Sequence, residues 1–296
     1  MGHFAEVPCQ LLPDWRSYHD RLSANIGGGA YPRELAHAAE ARLYRVRKLG
    51  FDGEFATVSE ALAQWSADKQ CDGAPRCAII DILDSATYQE APQIVLGEGE
   101  HLQLRAANLA SPVLRMGDDG SGVHEQIRIA GAAGSRLTLD GVQVAGGGIA
   151  VDAAGLIVTL RHCTLVPGWE QQGARRAPWR AKPSITLRAA GGSLRVDHCI
   201  VGPIRVDAGA DLTLEVGDSI IDAGHDMGLA VADAQHGPAQ VTATIVRSTV
   251  IGLAQVAQLA LAENAIFLGP LLVARRAAGS LRFCYLAPGS RTPHWR

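Results

Sequence analysis

Leu137-Thr138-Leu139-Asp140-Gly141-Val142-Gln143-Val144 and Val158-Thr159-Leu160-Arg161-His162-Cys163-Thr164-Leu165 carry one pattern twice. An apolar residue, any residue and an apolar residue are followed by two mostly polar residues. A usually small residue, any residue and an apolar residue then complete the unit. Alternation puts every second side chain of a strand on one face. The polar pair therefore reads as a corner, after which a second strand resumes with its own inward positions. A flat sheet needs no such phase change at the same place in every strand.

Four further segments fit the template. They are Leu194–Val201, Leu214–Ile221, Thr244–Val250 (one residue short) and Leu259–Ile266. With Val142, Cys163, Cys199, Ser219, Ser248 and Asn264 taken as equivalent, the spacings are 21, 36, 20, 29 and 16. Two lie close to one solenoid coil. The excess falls in residues 168–183 and 224–238, which read as insertions on one edge. Stacked coils bury their inward residues as continuous ladders. The expected fold is an all-β solenoid, a right-handed parallel β-helix over residues 77–296, with both ends in need of covers.

The first 76 residues read as an N-terminal α-helical cap. Leu35, Ala39, Leu43, Val46 and Leu49 recur at helical spacing between Pro32 and Gly50. Thr57-Val58-Ser59-Glu60 has the form of a capping box. It opens a second helix with Val58, Leu62 and Trp65 on its apolar face, ending before Asp72-Gly73.

Composition agrees with this layout. Of the 296 residues, 47% are hydrophobic, only 5% are aromatic and 33 are glycine. That mixture suits many short strands joined by tight turns. Net charge is −3, which gives no argument for nucleic acid or an anionic membrane as partner. No basic stretch followed by an apolar run opens the chain, and no apolar run is long enough to span a membrane. A cytoplasmic protein, free or incorporated into a particle, is the expectation. The six cysteines, Cys9, Cys71, Cys77, Cys163, Cys199 and Cys284, match no zinc spacing. They are read as reduced thiols, with Cys71 and Cys77 able to pair in an oxidising compartment.

The succession Thr57-Val58-Ser59-Glu60-Ala61-Leu62 and Ala86-Thr87-Tyr88-Gln89-Glu90 resembles the pectate-lyase-like β-helix superfamily, a short amphipathic helix before a strand and a Tyr-x-Glu element. A narrower resemblance rests on four stretches. These are Leu104–Asn108, Gly131–Gly141, Cys163–Trp169 and Phe283–Pro293. They look like a group of uncharacterised bacterial β-helix proteins associated with phage-tail-like contractile injection gene clusters. The resemblance implies a setting rather than a reaction.

Candidate chemistry lies in two places. The corner column Asp140, Arg161, His162, Asp197, His198, Asp218, with Arg247 and Glu263 beyond, stacks acids, bases and cations. Pectate-lyase relatives use stacked acids for Ca²⁺ and an arginine as base, and polygalacturonase relatives use grouped aspartates. Here Asn-x-Asp is absent, and the one Asp-Asp pair, Asp118-Asp119, sits in a glycine-rich turn. Opposite charges stacked at a solvated corner also simply lower repulsion. The second place is the insertion with Trp169, Arg175, Arg176, Trp179 and Arg180, suited to stacking on a sugar ring or gripping a carboxylate.

Cys163 and Cys199 read as small packed residues in adjacent coils. His162 and His198 alone make a poor metal site. His225, Asp226 and His236 add nothing firmer, so no metal and no cofactor is assigned. The arginine-bearing C-terminal segment, Arg275, Arg276, Arg282, Arg291 and Arg296, suits docking on a larger assembly. The leading expectation is a non-enzymatic structural or binding module with protein partners in a multiprotein assembly. The alternatives are a lyase or hydrolase of acidic polysaccharide and a glycan-binding module.

Overall fold

A computed structural model describes residues 25–35, 41–70, 76–117, 125–167, 182–188, 190–207 and 212–294. The chain winds into three stacks of parallel strands around one apolar core. The first face stacks Arg42–Val46, Cys77–Ile82, His101–Ala106, Arg136–Asp140, Ile157–Arg161, Ser193–Asp197, Leu212–Gly217, Ala239–Val246, the C-terminal part of Leu253–Glu263, and Ser280–Arg282. The second face runs from Thr87–Gln89 through Gln143–Gly146, Thr164–Pro167, Ile200–Val201, Ile220–Asp222, Thr249–Ile251 and Ile266–Phe267 to Tyr285–Leu286. The third face includes Ile127–Gly131, Ile149–Val151, Ile185–Leu187, Ile204–Val206, Leu229–Asp233 and Leu271–Val273. The expected β-helix is therefore the fold.

The inward positions of the template form the ladders that alternation requires. Leu102, Leu137, Val158, Leu194, Leu214, Ala243 and Leu259 stand in register on the first face. All of them are buried. Each fully buried leucine or valine contributes about 1.5–3 kcal/mol relative to exposure. The core is continuous from the first rung to the last.

The corner has a backbone reason. Gly141, His162, His198, Asp218, Arg247, Asn264 and Phe283 all occupy the left-handed region, with φ between 47° and 76°. Asn, Asp and His tolerate that region better than other side chains do. Each of the six residues from Gly141 to Asn264 donates its N–H to a carbonyl of the next rung, as His198 does to Gly217 (3.1 Å) and Arg247 to Glu263 (2.9 Å). The following N–H turns inward, where no carbonyl faces it. The small residue of the next rung accepts it. Cys163 N–H donates to Cys199 Sγ (3.3 Å), Cys199 N–H to Ser219 Oγ (2.9 Å), and Ser219 N–H to Ser248 Oγ (3.2 Å). Leaving one such buried donor unpaired costs about 1–3 kcal/mol, so Cys199, Ser219 and Ser248 have a reason beyond size to stand there, which the apolar Val142 and Ala265 at the same position do not share.

Three expectations need correction. The helical spacing of Leu35 to Leu49 does not give a helix over the described residues 41–50. Arg42–Val46 is a strand paired with Cys77–Ile82, and Leu43 and Leu49 are exposed. A first rung of the core needs Tyr44 and Val46 pointing inward, and that tertiary demand overrides the local period. Residues 224–238 are not a mere insertion, because Leu229–Asp233 supplies a third-face strand. Finally, Asn264 stands with Arg247 in the left-handed position, and Ala265 is the counterpart of Ser248. Residues 36–40, which include Ala39, and Cys9, Cys71, Asp118-Asp119 and Arg296 lie outside the described residues.

The second expected helix is present as Val58–Asp68 and covers the N-terminal rung. Thr57 Oγ1 accepts from Glu60 N–H (3.1 Å), and Glu60 accepts from Ala56 N–H (2.9 Å). Glu90, from the Tyr-x-Glu element, accepts from the N–H groups of Val58 and Ser59, both at 2.9 Å. These bonds satisfy donors that a helix start leaves open. Val58, Ala61, Leu62 and Trp65 are buried against the first rung. No helix of the described residues is long and apolar enough to cross a membrane.

Candidate functional site

The corner column resolves into two parallel ladders. The first-face position in register with Asp140 reads, rung by rung, Arg45, Asp81, Arg105, Asp140, Arg161, Asp197, Gly217, Val246, Glu263, Arg282. Charge alternates from rung to rung except at Gly217 and Val246. Arg105 Nε lies 2.9 Å from Asp81, Arg161 Nη1 3.8 Å from Asp140, and Arg282 Nη2 3.2 Å from Glu263. The second ladder is the left-handed residue one step on. His162 and His198 stack there with ring centroids 5.0 Å apart. Arg247 grips Asp218 with two bonds of 2.7 and 2.6 Å, which holds the Asp218 carboxyl below the usual range.

An N-terminal strap, residues 25–35, lies along these ladders. Gly27 N–H donates to His198 O (2.7 Å), and Gly28 N–H donates to Thr164 Oγ1 (2.9 Å). Tyr31 sets its ring edge against His162, with its hydroxyl 3.2 Å from His162 Nδ1. Burial pushes the Tyr31 hydroxyl up. Arg33 reaches the wider corner of the earlier rungs. Its backbone N–H donates to Asn108 Oδ1 (2.8 Å) and its guanidinium to Ala106 O (2.8 Å). Its Nε stands 3.3 Å from Asp140 Oδ1, with both side chains fully shielded from solvent. Among the described residues neither Asp140 oxygen receives a well-aligned hydrogen bond. Burial accordingly raises the Asp140 carboxyl, although Arg161 and Arg33 pull the other way. Gly141 has room for no side chain, because an added Cβ would lie 2.4 Å from Arg33 Cζ.

Of the predicted residues, the fold brings Asp140, Arg161 and His162 together under the strap. Asp197, His198 and Asp218 gather just beyond it, with one ligand atom from each within 4.8 Å of the others. His198 Nδ1 is 3.2 Å from Asp197 Oδ1. Three donors with two carboxylates could in principle hold a cation, but Arg247 already occupies Asp218 from the adjacent rung. Exposed His225 and Asp226 and exposed His236 join no such group among the described residues. Cys163, Cys199, Cys77 and Cys284 are free thiols, and burial pushes Cys199 well up. Trp169, Arg175, Arg176, Trp179 and Arg180 lie outside the described residues. Sequence reasoning missed Tyr31 and Arg33. The run Gly27-Gly28-Gly29 marks a close backbone approach, but no local signal names a target more than a hundred residues away.

Three parallel stacks with left-handed corners define a parallel β-helix. No family model, curated protein or solved structure matches this chain.

The strap makes a pH prediction. His162 is half-buried beneath Asn25 and Tyr31, and burial lowers its imidazole below the usual value of about 6.5. A group held below its unfolded value contributes stability that is intact above about pH 6.5 and lost as pH falls toward the folded value. His198 and Arg161 also oppose the added charge, while Asp140 and the Asn25 carbonyl favour it. Protection of the Gly27 and Gly28 amides against hydrogen exchange should therefore drop below about pH 6.5. In His162→Gln the drop should be absent. Equal pH profiles for the two proteins would remove His162 from the account.

Proposed function

We propose that this chain is a non-enzymatic structural or binding module that serves a multiprotein assembly. A phage-tail-like contractile injection particle is the setting suggested by the family resemblance. The observation that carries the reading is the pairing along the corner column. Asp81 has Arg105, Asp140 has Arg33 and Arg161, Asp218 has Arg247, and Glu263 has Arg282. A general base needs a lone pair within reach of substrate. Here the carboxylates with the strongest partners are spent on their neighbours, and the strap lies over the deepest of them.

The grouping of Asp197, His198 and Asp218 favours the second reading, cleavage of an acidic polysaccharide. A pair of carboxyl groups near one another is what hydrolysis of a glycosidic bond uses, and Asp197 and Asp218 are such a pair. Both readings meet one experiment. The protein is used as bait in lysate of its source, and in parallel is incubated with a panel of polyuronates. Recovery of several assembly proteins in fixed ratio, with no change in polyuronate viscosity, is the expected result. Depolymerisation that Asp197→Ala abolishes would overturn the module reading.

A further inference from the structure

The strap and the surface beneath it fit each other residue by residue. The rungs supply a complete seat for one arginine. Arg33 Nη2 donates to the carbonyls of Ala106 (2.8 Å) and Ala107 (3.2 Å), and Asp140 supplies the counter-charge. Asn108 Oδ1 accepts the Arg33 backbone N–H (2.8 Å). One and two rungs on, Thr164 Oγ1 and His198 O accept the N–H groups of Gly28 and Gly27. A Cβ on Gly27 would meet Thr164 Oγ1 at 2.6 Å, and one on Gly28 would meet Gln143 Cγ at 2.7 Å. The corner therefore reads two adjacent glycines and an arginine five residues after the second. In the whole sequence only Gly27-Gly28 and Arg33 stand at that spacing.

The strap also holds its own shape. The Tyr31 hydroxyl reaches the carbonyls of Asn25 (2.8 Å) and Gly27. Tyr31 N–H donates to Gly29 O (3.0 Å), as does Arg33 Nη1 (3.1 Å). Such a segment transfers as a unit. Its seat is filled without being satisfied. Arg33 Nε and both Asp140 oxygens, fully shielded from solvent, lack a well-aligned hydrogen bond among the described residues. A guanidinium and a carboxylate pair best through two parallel bonds. The tether is long enough for release. Arg33 sits beside the fourth first-face rung and Arg42 opens the first, a rise of about 14 Å. The chain from Arg33 to Arg42 can reach about 30 Å.

We propose that the corner from Asn108 to His198 is a receptor for a Gly-Gly-x-x-x-x-Arg segment, and that the segment it takes in trans is the strap of a second copy of this chain. The exchanged contacts are identical to those made in cis. Two copies therefore lose no bond by trading straps, and the trade is reciprocal about a twofold axis. A short flexible tether gives the cis strap an effective concentration in the millimolar range. Exchange takes over where copies stand side by side at such a concentration, as an assembly would hold them.

The test uses the full chain and a peptide of residues 25–35. Added to the parent protein at up to about 10 mM, above the tether's effective concentration, the peptide should displace the cis strap. The protein's own Gly27 and Gly28 amides should then lose their protection against hydrogen exchange. Full-length Arg33→Gly, whose strap lacks the plug, should bind the labelled peptide at least about tenfold more tightly than the parent, by fluorescence anisotropy. Peptides carrying Arg33→Lys or Gly27→Ala should bind about tenfold more weakly, the effect of losing one bond to a charged group. At millimolar concentration the parent should sediment as monomer and dimer, and Arg33→Gly as monomer alone. Unchanged protection in the parent at the highest peptide concentration would overturn the proposal, and that measurement needs no variant to fold. Equal binding of the altered peptides, or a parent that stays monomeric throughout, would overturn it too. None of these outcomes touches the module reading, which falls only on polysaccharide cleavage.

Discussion

Replacing Arg33 by methionine should destabilise the protein at neutral pH by about 3–5 kcal/mol, the usual cost of leaving one member of a buried ion pair alone. Asp140 is fully buried, and Arg33 supplies the closest positive charge. Arg161 stands further off, at 3.8 Å. The structure has one escape. If the strap lifts, water reaches Asp140, and the loss is then limited to the free energy that docks residues 25–35. The urea midpoint measures the first result, and loss of amide protection at Gly27 and Gly28 measures the second. Removing both charges in Arg33→Met with Asp140→Leu should restore most of the stability, because the pair no longer has to be desolvated.

The pH dependence fixes the cause. The Asp140 carboxyl is already raised by burial, and losing Arg33 raises it further. A raised carboxyl costs stability above its folded pKa, and the cost fades as pH falls through that value. The gap between Arg33→Met and the parent should therefore narrow in mild acid. A variant that unfolds at the parental urea concentration, with Gly27 and Gly28 still protected, would show that Asp140 needs no counter-charge.

Trp65→Ala should cost about 3–5 kcal/mol, the range for deleting a large buried aromatic. Trp65 is 2% exposed and sits in the core cluster with Val46, Val58 and Leu62. Its deletion removes the main apolar contact of the helix with the first rung. It also uncovers the strand Arg42–Val46, so the variant should gain light scattering at temperatures where the parent is clear. Trp65→Phe keeps most of the volume and should lose much less. If Trp65→Ala melts like the parent, the helix is an ornament and the solenoid's N-terminal rung is stable without it.

The repeat was legible because a solenoid writes its architecture into each coil. Alternation in Leu137-Thr138-Leu139, the break at Asp140-Gly141 and the resumption at Val142 occur again at Val158 to Leu165 and at Leu194 to Val201. Each is dictated by local backbone geometry and burial. The third strand of each coil was missed. Ile149–Val151 and Ile185–Leu187 are three residues long, and all of their residues are buried, so they show no alternation. Arg42–Val46 was misread because Leu43 fits a helical period as well as an outward strand position. Only the neighbouring strand Cys77–Ile82 decides between them.

The candidate site divides the same way. That Asp140, Arg161, Asp197 and their neighbours stack was fixed by the sequence repeat, since residues at one template position must superpose. Which partner each one takes is a tertiary matter. Arg247 chooses Asp218 across a gap of 29 residues, and Arg33 reaches Asp140 from outside the repeat altogether. Sequence alone thus determines the coil, its corner and its ladders, because those follow from patterns a few residues long. The strap and the buried charge beneath it are decided only when distant segments meet, because burial and ion pairing are properties of neighbours in space.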